Sequence, residues 1–537
     1  MNNDKKSAET FALQSLRQGA SRRDAMKLLM ASGMTLAGAG LILGDATRAL
    51  ASTPKSGGHV RIGVRAGSNS DTLDPAAFVN GFMRTTAYGL CNGLFEITAD
   101  NSLGGELIES WEAKTGAAEW TFKVRKGVDF HDGKALTADD IIASINHHRG
   151  PESKSGLKAP LSSIKEIVKD DDHTITFTLD GGNADFPYVF TDYRLVVMPA
   201  NPDGTLNWRA GIGTGGYTLK TLEQGVRASL ERSPNYWRQD QAHFDSGEVL
   251  LVPDAAARQS SLITGELDVI DQIDLNTLSL LQRMEGVKIL DTIGAKHYTF
   301  PMNTQLDPFK DNDLRLALKY GIDRDAILRL VLRGFGSLGN DHPVAPSHQF
   351  YASDLERHAY DPDKAQFHLK KSGHQGVGLQ LHVSDALYPG AVDAAVLYKE
   401  NLVPVGINLD IVREPADGYF SNVWMKKPFV ASFWGARPTA DLILSTAYME
   451  GAPWNDSFLE NERLTKLIKE ARSEIDLIKR GEMYREIQII LRDEGGTVIP
   501  VFANNVFAVS DKVGHPTNIA GNWELDGGRA LERWWFA

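Results

Sequence analysis

The sequence predicts a mixed α/β protein with partly parallel sheets. Two observations carry that expectation. Short stretches that alternate apolar and polar residues recur along the chain, and capped stretches of helical period lie between them. With 537 residues and a hydrophobic fraction of 42%, the chain can bury a large core, and length alone suggests about three domain-sized units.

At the N-terminus, Ser21-Arg22-Arg23-Asp24-Ala25-Met26-Lys27 precedes an apolar run from Leu28 to Gly44, and Ala49-Leu50-Ala51 follows as a small-x-small cleavage site. The paired arginines resemble a twin-arginine export signal, with Ala25 where that pattern usually has a bulky apolar residue. The run is short and rich in Gly and Ala, which argues against a spanning helix. Residues 1–51 are therefore expected to be removed on export to the periplasm. With no cysteine at the cleavage site, no lipid anchor is expected there. Removing this segment takes away seven Lys/Arg and four Asp/Glu and changes the formal net charge from −12 to −15. That balance, without a basic stripe, argues against nucleic acid as a partner. The single cysteine, Cys91, excludes an internal disulfide and Cys-based metal sites.

After a flexible lead-in over 52–58, His59 to Val64 alternates as a first strand. Trp120 to Val124 and Thr174 to Leu179 do the same. Thr137 is an N-cap for a helix running to about His148, with Asp140 at the third position. Ala255 to Thr264 reads as a helix ended by Gly265. Helices are expected at Asp313 to Tyr320, Arg324 to Arg333, Asp361 to Ser372 (with Pro362 in the first turn and Gly373 at the end) and Val392 to Val403. Leu379 to Val383 and Asn408 to Val412 read as strands. Glu460 to Arg492 reads as one or two amphipathic helices, and Val498 to Phe502 as a short apolar strand.

Signatures of catalysis are missing: no G-x-S-x-G elbow, no phosphate-binding loop, no H-E-x-x-H and no dinucleotide fingerprint. Gly211 to Gly216 leads into strand-like Tyr217-Thr218-Leu219, whereas a phosphate cradle needs a helix N-terminus. His147 and His148 are adjacent, about 100° apart on a helix, and poorly placed to share one metal. No cofactor is expected.

Seven segments in order resemble the dipeptide/oligopeptide/nickel-binding family of ABC-importer receptors, the family 5 solute-binding proteins. They are Thr72-Leu73-Asp74-Pro75 with Gly93-Leu94-Phe95-Glu96; Phe130-His131-Asp132-Gly133 through Asp140; Gly213 to Tyr217; Arg232-Ser233-Pro234-Asn235-Tyr236-Trp237; Gly265-Glu266-Leu267-Asp268; Pro308-Phe309-Lys310-Asp311 with Asp323-Arg324; and Tyr360-Asp361-Pro362. By themselves these residues make turns, helix starts and core contacts, with Phe130, Tyr236 and Trp237 as core aromatics. The resemblance implies a two-lobed periplasmic binding protein fold, joined by two crossing strands that hinge. One lobe takes 56–298 plus 504–537, with an extra subdomain over 91–200, and the other takes 299–503. It implies a monomer that captures a peptide-like or opine-like solute for the permease subunits of an ABC importer. A nickel-chelate or other metal carrier is the alternative on the same fold.

Dipeptide binders of this family carry a "W-x-G-D" motif whose aspartate holds the ligand ammonium. Counting from Trp434 here, Arg437 takes that place, and Asp385 stands where the family has an arginine for the ligand carboxylate. The expectation is that Arg437 and Asp385 face the cleft with the usual charges inverted, or pair with each other. Asp441 is the alternative for the aspartate role. Tyr388, Tyr419, Trp424, Trp434 and Trp454 are candidate stacking surfaces for apolar or sugar faces. On the first lobe the polar loop with Ser70 and Asp71, followed by Asn80, Phe82 and Met83, is the expected contact.

Overall fold

The computed structural model describes residues 54–537. The twin-arginine segment and its cleavage site lie outside the described residues. Among these residues no helix is long and apolar enough to cross a membrane.

A ten-stranded mixed sheet runs through the molecule. Strand His59–Val64 lies parallel to both Ser246–Leu251 and Val269–Ile270. Antiparallel strands Arg227–Arg232 and Tyr217–Glu223 extend it on one side. On the other side lie two long antiparallel strands, Val287–Pro301 and Val501–Ser510, and then Ser432–Trp434. A separate antiparallel sheet holds Ile108–Ala113, Glu119–Val124, Thr174–Leu179 and Ile164–Asp171. Gly378–Val383 and Asn408–Arg413 form a parallel pair.

The apolar cores fall on two sides of the long strand pair. One side holds a core of Val60, Phe82, Tyr217, Phe507 and Trp534, and a second of Phe95, Phe122, Phe177 and Phe190 within the antiparallel sheet. The other side holds a core around Phe300, Leu381, Tyr398 and Phe429, and one around Trp434, Leu444, Tyr484 and Ile499. The paired strands Val287–Pro301 and Val501–Ser510 both run from the first set of cores to the second. Their register slips between Thr292 and Lys296. At this bulge Gly294 lies so close to the partner strand that a Cβ would sit 2.6 Å from the Ala503 carbonyl oxygen. A bulge at the crossing point is where a strand pair bends most readily.

The signature segments build this scaffold. Thr137 N–H donates to Asp140 Oδ2 at 3.0 Å at the start of helix Ala138–Asn146, and buried Asp140 also accepts from Ala200 N. Asp361 caps helix Pro362–Ser372, which ends on Gly373 at φ 75°. Arg324 makes a buried two-pronged pair with Asp341 at 2.7 and 2.8 Å. Phe130 and Tyr236 are buried, as expected of core aromatics, while the Trp237 indole donates to Asn92 Oδ1 at 3.0 Å.

Pro500 splits the expected strand at 498–502, leaving Thr497–Val498 and the longer Val501–Ser510. The expected helix over 460–492 is two, Glu462–Ser473 and Leu477–Glu494.

Candidate functional site

An interlobe cavity with a volume of about 770 Å³ takes its walls from both sides of the long strand pair. A second cavity of about 560 Å³ shares Asn101, Tyr188, Ser347 and His348 with it, so the two form one groove. This volume suits a small-molecule guest.

On the first side, the chain leaves the short helix Phe186–Val189 and turns through Asp192-Tyr193-Arg194. Asp192 Oδ1 accepts from Arg194 N at 2.9 Å, which fixes the turn. Arg194 Nη1 donates to both Asp192 oxygens at 3.1 and 3.0 Å, and its Nε donates to Phe78 O at 2.8 Å. Burial pushes the Asp192 carboxyl up against this pull from Arg194. Trp523 meets the Tyr193 ring edge-on at 5.9 Å, and the Arg84 guanidinium, paired with Glu524 at 2.8 Å, lies 4.7 Å from the Trp523 ring. Leu157, Pro160 and Val189 complete an apolar wall.

On the second side, strand Ser432–Trp434 delivers Gly435-Ala436-Arg437-Pro438 to the cavity. Thr439 then caps helix Ala440–Ala447, whose Leu442, Ser445 and Thr446 line the wall. The Arg437 carbonyl meets His348 Nε2 at 2.8 Å, which pins the turn. The Arg437 side chain finds only its own turn: Nη1 donates to Gly435 O at 3.3 Å and Ala436 O at 3.2 Å. It takes part in no ion pair among the described residues, and burial holds its guanidinium below the ordinary arginine range. Trp454 also lines the cavity, with its ring 6.0 Å from that of buried Trp434.

Of the residues expected at the site, Arg437 and Trp454 line the cavity and Trp434 backs Trp454. The others are corrected. Asp385 is exposed and pairs with Arg413 at 3.0 Å, away from Arg437. Asp441 is buried and accepts from Arg472 Nε at 3.1 Å. Tyr388 is buried in the core, stacked on Tyr298 at 3.5 Å. Asp71 accepts from Ser68 N and Asn80 Nδ2, so it ties its own loop together, while Ser70 is exposed and bonds only within that loop. Asn80 caps helix Gly81–Leu90, which sends Phe82 and Met83 into the core. Burying each of these two side chains is worth roughly 1.5–3 kcal/mol, which explains their apolar character without a ligand. The sequence reading missed Asp192, Tyr193, Arg194, Asn522 and Trp523. The one local signal is the density of aromatic and charged residues in Asp192-Tyr193-Arg194 and Asn522-Trp523-Glu524.

Below Trp454 lies a carboxylate without a cation. Asp456 is buried and accepts from Trp424 Nε1 at 3.1 Å. Burial pushes its carboxyl up to about 7 against that donor. A carboxyl raised in the folded state binds its proton more tightly there than in the unfolded chain, so stability falls as pH rises from about 4 to 7. Asp456→Asn keeps an acceptor for Trp424 and removes the charge. The variant is expected to unfold at a higher temperature than the parent at pH 8 and at nearly the same temperature at pH 4. Equal melting curves at pH 8 would contradict this.

The groove between two sets of cores, bridged by a bulged strand pair, defines a solute receptor. Comparisons agree. Residues 102–452 match the family model "Bacterial extracellular solute-binding proteins, family 5 Middle", and the chain belongs to that family. The chain is 25% identical over 435 residues to the dipeptide-binding protein of Escherichia coli K12, covering 73% of this chain and 79% of that one. It is 24% identical over 495 residues to the glutathione-binding protein GsiB of Escherichia coli, strain 536, covering 90% and 95%. Among solved structures it resembles the binding protein AgaA of A. tumefaciens R10 in complex with agropinic acid, with a TM-score of 0.69 and 22% identity, covering 89% of this chain and 99% of that one. As a member of this family the protein binds a small solute and serves an ABC importer.

Proposed function

We propose that the protein works as a periplasmic monomer, exported by its twin-arginine segment without a lipid anchor, and captures a peptide-like or opine-like solute between its lobes. The jaws are 56–298 plus 504–537, with 91–200 as a subdomain, and 299–503. One observation carries the reading: an arginine without a carboxylate partner, Arg437, stands in the wall of an otherwise mostly apolar groove. A guanidinium in that setting is a fork for a carboxylate supplied by the guest. Trp454 and Trp523 offer flat apolar faces from opposite sides. Closure about the Val287–Pro301 and Val501–Ser510 pair would exclude water from both.

The alternative on the same fold is a carrier of a nickel chelate or other metal complex, whose guest would bring its own metal ligands; elemental analysis of untagged protein, with stoichiometric metal expected only for that carrier, separates the two. The test uses the solute that co-purifies with the protein. Arg437→Ala is expected to weaken its binding by roughly 30-fold or more in a calorimetric titration, as loss of a desolvated charge partner does. Unchanged affinity would remove Arg437 from the site and this reading with it.

A further inference from the structure

We infer that the guest is a capped acid: a molecule with a carboxylate, a bulky apolar or aromatic body, and no free ammonium group. This rests on the receptor reading above and narrows its solute class. The argument is an inventory of charge. Three formally charged side chains line the main cavity: Arg437, Arg194 and Asp192. Asp192 is already taken, since its two oxygens receive Arg194 Nη1 and one of them also receives Arg194 N. The cavity wall is thus positive by one charge, and that charge is the unpaired Arg437 guanidinium.

Among the residues that line the main cavity no acid is left for an ammonium, and buried Asp456, behind Trp454, does not line it. Asp441 and Asp385, the acids to which the motif spacing pointed, are engaged by Arg472 and Arg413 and do not line the cavity. In the adjoining cavity, Asp185 pairs with Arg480 at 2.7 Å, and Asp100, held by the neutral donors Thr98 Oγ1 and Ser102 N, lies outside the main cavity's lining. A free ammonium drawn into the main cavity would lose its water, face a net positive wall and find no unpaired carboxylate, which is a large penalty. An amide or acyl group there has no such cost. Most of the remaining surface, including Leu157, Tyr193, Leu442, Trp454 and Trp523, is apolar or aromatic, with neutral polar groups such as Ser445, Thr446 and Asn522 among it.

The test titrates solute-stripped protein with three probes, followed by tryptophan fluorescence: N-acetyl-phenylalanyl-phenylalanine, the same dipeptide with a free N-terminus, and the N-acetyl dipeptide as its C-terminal amide. The acetylated acid is expected to bind at least about tenfold tighter than either other probe. Arg437→Gln is expected to abolish the preference of acid over amide. The inference is overturned if the free dipeptide binds as tightly as the acetylated one, if the amide matches the acid, or if none of the probes binds. Mass spectrometry of the co-purified solute separates this from the receptor reading. A solute with a free primary amine sinks the capped-acid class and leaves the receptor intact, whereas no solute and no probe binding sink both.

Discussion

Arg529→Met is expected to lower the unfolding free energy by roughly 3–5 kcal/mol, the usual effect of stripping one partner from a buried ion pair. Arg529 is buried and donates to both oxygens of Glu106 at 2.6 and 2.7 Å and to Glu532 at 2.9 Å. Its guanidinium also lies 4.1 Å from the Tyr88 ring. Glu106 and Glu532 are fully enclosed, and Glu96 beside them draws on Arg533 at 2.7 Å and Arg238 at 3.1 Å. The three acids and three arginines stitch the segment after helix Gly81–Leu90 to the C-terminal return of the chain. Without Arg529, Glu106 keeps only Asn92 Nδ2 and Gly93 N as donors. Burial already pushes the Glu106 carboxyl up even with Arg529 in place. Without the arginine it would bind a proton more readily still. The variant's deficit should therefore shrink as pH falls from 7 toward 5, because the proton removes the uncompensated charge. Urea unfolding at both pH values checks this. A loss under about 1 kcal/mol at pH 7 would show that the cluster is not the tie described, being no stronger than an exposed pair.

Asp185→Ala is expected to weaken solute binding by about 100-fold, although Asp185 lies outside the main cavity's lining, by costing the shut form alone roughly 3 kcal/mol. Asp185 stands beside Phe186 of the antiparallel-sheet core, and Arg480 on helix Leu477–Glu494 of the opposite side. They pair at 2.7 Å, both nearly buried. Next to them Ala184 N donates to Arg472 O at 2.6 Å, and Arg480 lies 5.0 Å from the Phe350 ring. When the lobes part, both charges return to water, so the bridge matters only when they meet. Removing Asp185 leaves Arg480 desolvated without a partner in the shut form and unharmed in the open one. Calorimetric affinity, with the scattering radius of the solute-saturated protein, reads this out. Equal affinity and equal radius would show that the bridge does not hold the lobes together.

The sequence showed the scaffold where local rules governed it. Gly265 and Gly373 end their helices in the left-handed conformation, at φ 78° and 75°, as their positions suggested. Asp361 and Pro362 open a helix for reasons visible in two residues. Helix Gly81–Leu90 was missed because nine of its ten residues are buried, which erases the polar face that betrays a helix. That same burial made Phe82 and Met83 look like exposed ligand contacts when read as loop. Strand Val287–Pro301 was hidden because its exposure pattern changes along its length and breaks at the bulge.

The site was legible at Arg437, whose neighbours Trp434 and Gly435 carry a recognisable spacing, and at Trp454. Its opposite wall comes from Asp192 to Arg194 and from Trp523, segments far from it in the chain. No local pattern records that meeting. Asp385 and Asp441 were misjudged for one reason: spacing places an acid near a motif but does not reveal the arginine, Arg413 or Arg472, that occupies it.

The most direct test is a crystal structure of the protein with its co-purified solute retained. The account predicts density between the lobes, bounded by Trp454, Tyr193 and Trp523, with an acidic group about 2.7–2.9 Å from the Arg437 guanidinium. Solute bound outside the interlobe groove, or inside it with Arg437 facing no acid, would contradict the account.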